Sequence, residues 1–594
     1  MHGVRISQER RSRRAIAFGE HSRYGSRQPL MRPRLGYVVA SLSLLAPLLP
    51  SSTDMIFREA PAKETGIRWV HISGKSDHRY LPETIPPGVA IFDYNNDGRM
   101  DILLINTGES VFFHPPRPGP QTALYRNNGD RTFTDVTAMS GLNPSFFGMG
   151  VGVGDYDGDG HDNVFLTGYG KCFLYHNNGD GTFTDVTRAS GIEPPGWSTS
   201  AVWFDYNNDG RLDLFVAQFV DYSSLKICSS TNAYGGQVEN APEDESHYCF
   251  PKIFDPAPSH LYRNDGGGRF TDVSRETGIL DSPGKGFGVV ATDINNDGYL
   301  DVFQANDTVA NFLFVNRGGK KFEEIGLASG VGYSEDGQTR SGMGVDAADF
   351  DGDGRQDLFV ANVDQQTFSI YKNNGDETFL DFGRQCGIAG PTRLLSGWGL
   401  KFFDYDNDGR VDLILANGHP DDLVDRRMKG VTYREPLLLF HNEDGKSMSN
   451  VSATTGPAFQ DMYAARGLAV GDLNNDGYPD LVVGINGGPP LVLYNTARAE
   501  NRWIGLTLKP VKSAPGAAGT LIQWSAAGVV RSRLVTAGGS YMSSHDPRQL
   551  LGLGKAARAD WIEVHWPAPS KQVDRVSNVA SGKYFVMEEG KGFR

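Results

Sequence analysis

The sequence predicts an all-β protein, a seven-bladed β-propeller followed by a small C-terminal β domain. Three observations carry that expectation. One acidic loop pattern, Asp-x-(Asp/Asn)-x-Asp-Gly, occurs seven times. Most occurrences are followed by a second hairpin signal built on an Asn-Gly or similar turn, and beyond Arg502 the repeats give way to alternating strands. A chain of 594 residues is too long for one ordinary core, so internal repeats are the first thing to seek.

Residues 1–30 are an Arg-rich leader without hydrophobic periodicity, and Met31, directly before the next element, is the expected true start. Arg32 and Arg34 precede a 15-residue apolar run from Leu35 to Leu49, with the small polar Ser51 and Ser52 behind it. That is the anatomy of a signal peptide over residues 31–52. The run falls short of the roughly 20 residues that span a bilayer and Pro47 breaks it, so no transmembrane anchor is expected after cleavage. A twin-arginine signal using Arg13 and Arg14 is the alternative, and their distance from the apolar run speaks against it. The expected location is extracytoplasmic: periplasmic, cell-surface or secreted.

Export fits the charge. The formal net charge is −14, but residues 1–52 hold nine Arg against Glu9 and Glu20, which leaves the remainder at −21. An acidic surface excludes a nucleic-acid partner, whose phosphates need a basic footprint, and points to neutralisation by cations.

The seven loops supply the ligands. Positions 1, 3, 5 and 9 read Asp93, Asn95, Asp97 and Asp101; Asp155, Asp157, Asp159 and Asn163; Asp205, Asn207, Asp209 and Asp213; Asp293, Asn295, Asp297 and Asp301. The last three read Asp349, Asp351, Asp353 and Asp357; Asp404, Asp406, Asp408 and Asp412; Asp472, Asn474, Asp476 and Asp480. A hard cation such as calcium takes six to eight oxygens, and a tight loop can point these positions inward while position 7 offers its carbonyl. Up to seven calcium ions are expected, with Asn163 weakening the second site. Position 2 is always apolar, from Tyr94 to Leu473, as a core-facing neighbour should be. The flanks are strand-like, so the loops are hairpins and not EF-hands.

The second hairpin is clearest at residues 124–137, 174–187 and 261–274, with looser versions from Leu313, Ile370 and Leu439. Two hairpins make four strands, the content of a propeller blade. The seventh unit lacks its outer strand after Asn495, while Phe57 to Ile67 resembles the outer strand at Phe133 to Leu142, displaced ahead of the first loop. The N-terminal segment is therefore expected to complete the last blade of a propeller spanning residues 54–498.

The interval between the third and fourth loops is the longest and holds an insertion at roughly 220–258. Cys228 and Cys249 lie inside it and could close it as a disulfide, which an exported protein permits, or remain two thiols. Cys172 and Cys386 read as small core residues. Residues 500–592 form a β module of about 90 residues, enough for a core of its own.

These features together resemble the FG-GAP/VCBS repeat proteins, the propeller family that includes integrin α-chain headpieces. The segment from Val535 to Arg548, with Leu551-Gly-Leu-Gly554 and Val564-His-Trp-Pro567, is similar to the ASPIC/UnbV domain of cartilage acidic protein and its bacterial relatives. The resemblance implies a calcium-binding propeller outside the cytoplasm.

No Gly-x-Ser-x-Gly, His-Glu-x-x-His, phosphate loop or Cys-x-x-Cys is present, so no catalytic residue is assigned. His419 with Asp421 and Asp422, and Glu83, are read as hydrogen-bonded loop residues, with a catalytic or channel-facing role as the alternative. The expected function is a binding or adhesion module, monomeric, for an extracellular protein or glycan, with calcium mainly structural. An enzyme with its site on the loop face or at the junction with the C-terminal domain is the second reading.

Overall fold

The acidic loop sets the register of every repeat. In the computed structural model, which describes residues 55–115, 121–229, 245–497 and 500–593, strand Val89–Phe92 runs into the first loop. Asp101–Leu104 runs out of it antiparallel, with Phe92 opposite Asp101. The same pairing recurs as Gly154 with Asn163, Phe204 with Asp213, Thr292 with Asp301, Ala348 with Asp357, Phe403 with Asp412 and Gly471 with Asp480. The leader and the signal peptide expected over residues 1–52 lie outside the described residues.

A second hairpin follows each loop. Ala123–Asn127 pairs with the second strand, and the outer strand Phe133–Asp135 pairs back with Phe133 opposite Asn127. Gly129 in the turn has φ 84°, a backbone state that costs glycine little. Seven antiparallel sheets share this four-strand order. The seventh takes its outer strand from the chain's beginning: Phe57–Glu59 pairs with Leu491–Asn495, Phe57 opposite Asn495. Edge pairing of this kind covers the donors and acceptors that would otherwise face water unpaired.

The innermost strands of the sheets pack against one another in chain order, and the seventh, Ala465–Gly471, packs against the first, Val89–Phe92. Apolar clusters fill the spaces between consecutive sheets. The cluster joining the seventh sheet to the first contains Val89, Ile91, Ile102, Ala469, Val482 and Tyr494. The alternation along each strand explains this: one face of a strand meets the preceding sheet and the other the following one, so the strands read as continuous apolar runs.

The insertion carries a disulfide between Cys228 and Cys249, whose Cα atoms are 5.3 Å apart. Its Tyr222 and Phe254 join Trp197, Phe287, Trp398 and Tyr541 in one buried aromatic cluster. Cys386 is buried as the sequence suggests, whereas Cys172 is only half-buried, at the entrance to strand Phe173–Asn177.

Residues 502–593 form two four-stranded sheets around a core that includes Ile504, Leu506, Ile522, Trp524, Ile562 and Met587. Between strands Val529–Leu534 and Gln549–Gly554 the chain leaves this sandwich as a finger that bonds to the inner strand of every repeat sheet. Val89 N–H donates to Ser543 Oγ at 3.2 Å, Val151 N–H to Met542 O at 3.1 Å and Met542 N–H to Ser200 Oγ at 3.2 Å. Gly539 N–H donates to Val289 O at 2.9 Å, Val345 N–H to Ser540 O at 3.1 Å, Leu400 N–H to Ser540 Oγ at 3.1 Å and Val470 N–H to His545 Nδ1 at 3.0 Å. Gly88 shows how close the approach is: a Cβ there would lie 2.1 Å from Met542 O.

Candidate metal loops and their surroundings

Each loop is held open by its own backbone. In the first, Asp93 Oδ1 accepts from Asp97 N–H at 3.0 Å and Asp93 Oδ2 from Gly98 N–H at 2.7 Å, while Asp97 Oδ1 accepts from Arg99 N–H at 3.0 Å. Gly98 has φ 83°, so the sharp reversal at position 6 needs glycine. The seventh loop repeats the arrangement through Asp472, Asp476 and Gly477. The carboxylate at position 9 ties two strands together: Asp101 Oδ2 accepts from Tyr94 N–H at 3.1 Å and Oδ1 from Asn127 N–H at 2.7 Å.

Burial makes these carboxylates costly to charge. It pushes Asp101 and Asp357 up to about 8 and Asp412 up to about 7, with the other loop aspartates adding to the rise. Asp213, Asp301 and Asp480 are held well above the usual carboxylate range for the same reason. A divalent cation removes both penalties at once, and the donors are hard oxygens. Ligand atoms of Asp349, Asp351 and Asp353, and those of Asp404, Asp406 and Asp412, lie within 4.8 Å of one another.

Three loops differ. Where position 3 is Asp in place of Asn, a basic side chain from the third strand faces the loop. His176 Nδ1 is 3.1 Å from Asp157, His441 Nδ1 is 3.0 Å from Asp412, and the Lys372 ammonium contacts Asp351 and lies 3.5 Å from Asp353. In the fifth loop the extra carboxylate, Asp351, has thus gained the Lys372 ammonium as a counter-charge. In the second loop Asn163 Oδ1 accepts from Asn177 N–H at 2.8 Å, as Asp101 does from Asn127, but its amide donates to Asp157. Asn163 keeps the strand tie and removes one charge from the cation site.

Sequence reasoning missed the asparagine that ends each third strand. Asn127 Nδ2 donates to Leu473 O in the preceding sheet's loop at 2.7 Å. Asn177, Asn264, Asn316, Asn373, Asn442 and Asn495 donate to Tyr94 O, Tyr156 O, Tyr206 O, Ile294 O, Phe350 O and Tyr405 O, each at 2.8 Å. Every loop is therefore tied to the next sheet at its position 2 carbonyl. The repeated Leu-Tyr-Arg-Asn segments contain the signal, which a turn reading of Asn-Gly conceals.

The C-terminal sandwich rests on the sixth and seventh loops. Gly554 N–H donates to Asn407 O at 3.0 Å, Tyr584 Oη to Asp472 Oδ2 at 2.7 Å and Asn501 Nδ2 to Asp406 O at 2.9 Å. His419 is buried away from these loops, its Nδ1 accepting from Asp421 N–H at 3.0 Å and its Nε2 3.2 Å from Asp364. Asp422 pairs with Lys75 and Arg79. Glu83 is buried and accepts from Ser76 N–H and Oγ and from Tyr80 N–H.

A family model described as FG-GAP-like repeat matches residues 93–166, 155–216, 253–304, 293–360 and 349–415, and one described as FG-GAP repeat matches 464–498. A third, ASPIC and UnbV, matches residues 510–593. The chain is an FG-GAP repeat protein with a C-terminal ASPIC/UnbV domain. Cartilage acidic protein 1 of Homo sapiens is 24% identical over 523 residues, covering 85% of this chain and 72% of its own length. The Mus musculus protein is 24% identical over 515 residues, covering 84% and 73%. The solved BP39L lectin from Burkholderia pseudomallei superimposes with a TM-score of 0.40 at 9% identity over 69% of this chain and 96% of that one, too loosely to carry an argument.

Proposed function

We propose that this FG-GAP/ASPIC-UnbV chain is an extracytoplasmic, calcium-binding β-propeller of seven blades, residues 54–498. In this reading the β domain at 500–592 sits on the propeller's loop face, and the whole serves as a binding or adhesion module for an extracellular protein or glycan. The observation that carries the reading is the repeated loop: oxygen donors at positions 1, 3, 5 and 9, presented in one register at the head of each hairpin. Calcium bound there would neutralise carboxylates that burial and mutual repulsion otherwise penalise, so its role is structural. Among the described residues no helix is long and apolar enough to cross a membrane.

Elemental analysis of the purified chain, paired with thermal unfolding in chelator, tests the metal. A count below about four ions per chain, or an unchanged melting temperature, contradicts a structural role for ions in loops of this type. Retention on immobilised glycans and cell-surface proteins with and without chelator tests the binding role. Turnover of a compound without stable capture favours an enzyme instead.

A further inference from the structure

A cavity of about 680 Å³ lies between the C-terminal sandwich and the loops of the fifth and sixth sheets. Its size is that of a small-molecule site. Strand Val529–Leu534 forms one wall, with Gln523 and Trp524 beside it, and residues 347–354 and 401–404 form the other. Arg531 and Arg533 alternate along that strand and so share a face, opposite Trp524 and Ile522 of the neighbouring strand.

These two arginines stand apart from the other cationic side chains of the wall. Lys401 is paired with Asp346 at 2.8 Å, Arg548 with Asp546 at 2.7 Å, and Arg410 with Asp408. Among the described residues Arg531 and Arg533 hydrogen-bond only to main-chain oxygens, Asp408 O at 3.1 Å and Leu550 O at 2.6 Å. Among the described residues neither has a carboxylate within ion-pair distance, and Arg531 Nη1 is buried without a partner. Asp404 is the carboxylate whose charge acts on both guanidiniums.

Asp404 is a ligand of the sixth loop in the reading above. With a divalent cation in that loop Asp404 is engaged by the ion, and neither half-buried guanidinium has an ion-pair partner of its own. A buried charge left in that state is expensive, and a guanidinium is satisfied best by a planar carboxylate. We propose that the cavity binds a small organic carboxylate, held between Arg531 and Arg533. The proposal rests on calcium occupying the sixth loop.

The test uses the full chain in calcium, with its metal content measured. Glucuronate and lactate, which bind calcium only weakly, are titrated in by calorimetry and by tryptophan fluorescence, since Arg533 lies 5.8 Å from the Trp524 ring centre. Glucose is the uncharged counterpart. Saturable binding of at least one acid is expected, with no response to glucose. Arg533→Gln should weaken binding at least about 10-fold, as loss of a charge-assisted hydrogen bond does, and Arg533→Lys should fall between the two. Arg531→Gln provides the same comparison where Arg533→Gln lowers the melting temperature. Binding of neither acid by calcium-loaded chain overturns the proposal, as does unchanged affinity in an arginine-to-glutamine variant that melts like the parent. A chain that takes up no calcium overturns the metal reading and the carboxylate site with it.

Discussion

Phe57→Ala isolates the closing strand. Phe57 is fully buried, its ring centre 5.8 Å from that of Phe459, and it packs with Leu437, Leu468 and Leu493 between the sixth and seventh sheets. Removing a buried phenylalanine side chain costs about 3–5 kcal/mol, transfer and cavity terms together. The unfolding entropy of a cooperative unit is about 2.1 cal/mol/K per residue, so roughly 540 residues unfolding together give about 1.1 kcal/mol/K and a drop in melting temperature of about 3–5 °C. Glu59→Ala on the same strand is the control, because Glu59 is exposed. Differential scanning calorimetry in calcium reads the shift, and amide exchange should show lost protection over residues 491–495. A Phe57→Ala shift under about 1 °C, no larger than that of Glu59→Ala, would refute the claim that the N-terminal strand locks the last sheet.

Asn495→Ala leaves Tyr405 O without its donor and should cost about 1–3 kcal/mol in chemical denaturation, whereas Asn374→Ala, on an exposed turn, should cost little. Gly552→Ala places a Cβ 2.1 Å from Asp404 Oδ2, so it should destabilise the chain by about 1–3 kcal/mol and lower the metal count, read by elemental analysis. Burial raises Glu83 to about 6 from 4.5, against hydrogen bonds from Ser76, Tyr80 and Tyr248 that lower it. The folded value lies above the unfolded one, so this contribution is full below pH 4.5 and is lost as pH rises through about 6. Urea unfolding at pH 4.5 and 7 should show the parent losing about 2 kcal/mol relative to Glu83→Gln across that window.

The hairpin register was legible because the loop has fixed length and its ninth residue must fall opposite the strand's last. The outer strand at Phe57 was legible for a related reason: it copies Phe133 while its own sheet lacks a counterpart. Other features left no such trace. Asn127 and its six counterparts sit in turn sequences, and only three-dimensional proximity shows their amides reaching the preceding sheet. His176 and His441 occupy a position filled elsewhere by Arg126, Val315 or Tyr494, so no pattern marks them as facing carboxylates. The finger was hardest to read. Its Gly-Gly-Ser-Tyr-Met-Ser-Ser segment has neither helical nor strand periodicity, and its partners are spread over seven strands, Val89 being 454 residues from Ser543.

Pairing between Phe57 and Asn495 also dictates when the molecule can be finished. During synthesis the first six sheets can form as their residues emerge, yet strand Leu491–Asn495 keeps a bare edge until a partner made at the outset returns to it. The finger arrives later still. Contacts this distant in sequence form slowly, and an unpaired edge invites other chains while it waits. Until that pairing is made the sheets form an open arc with one uncovered edge.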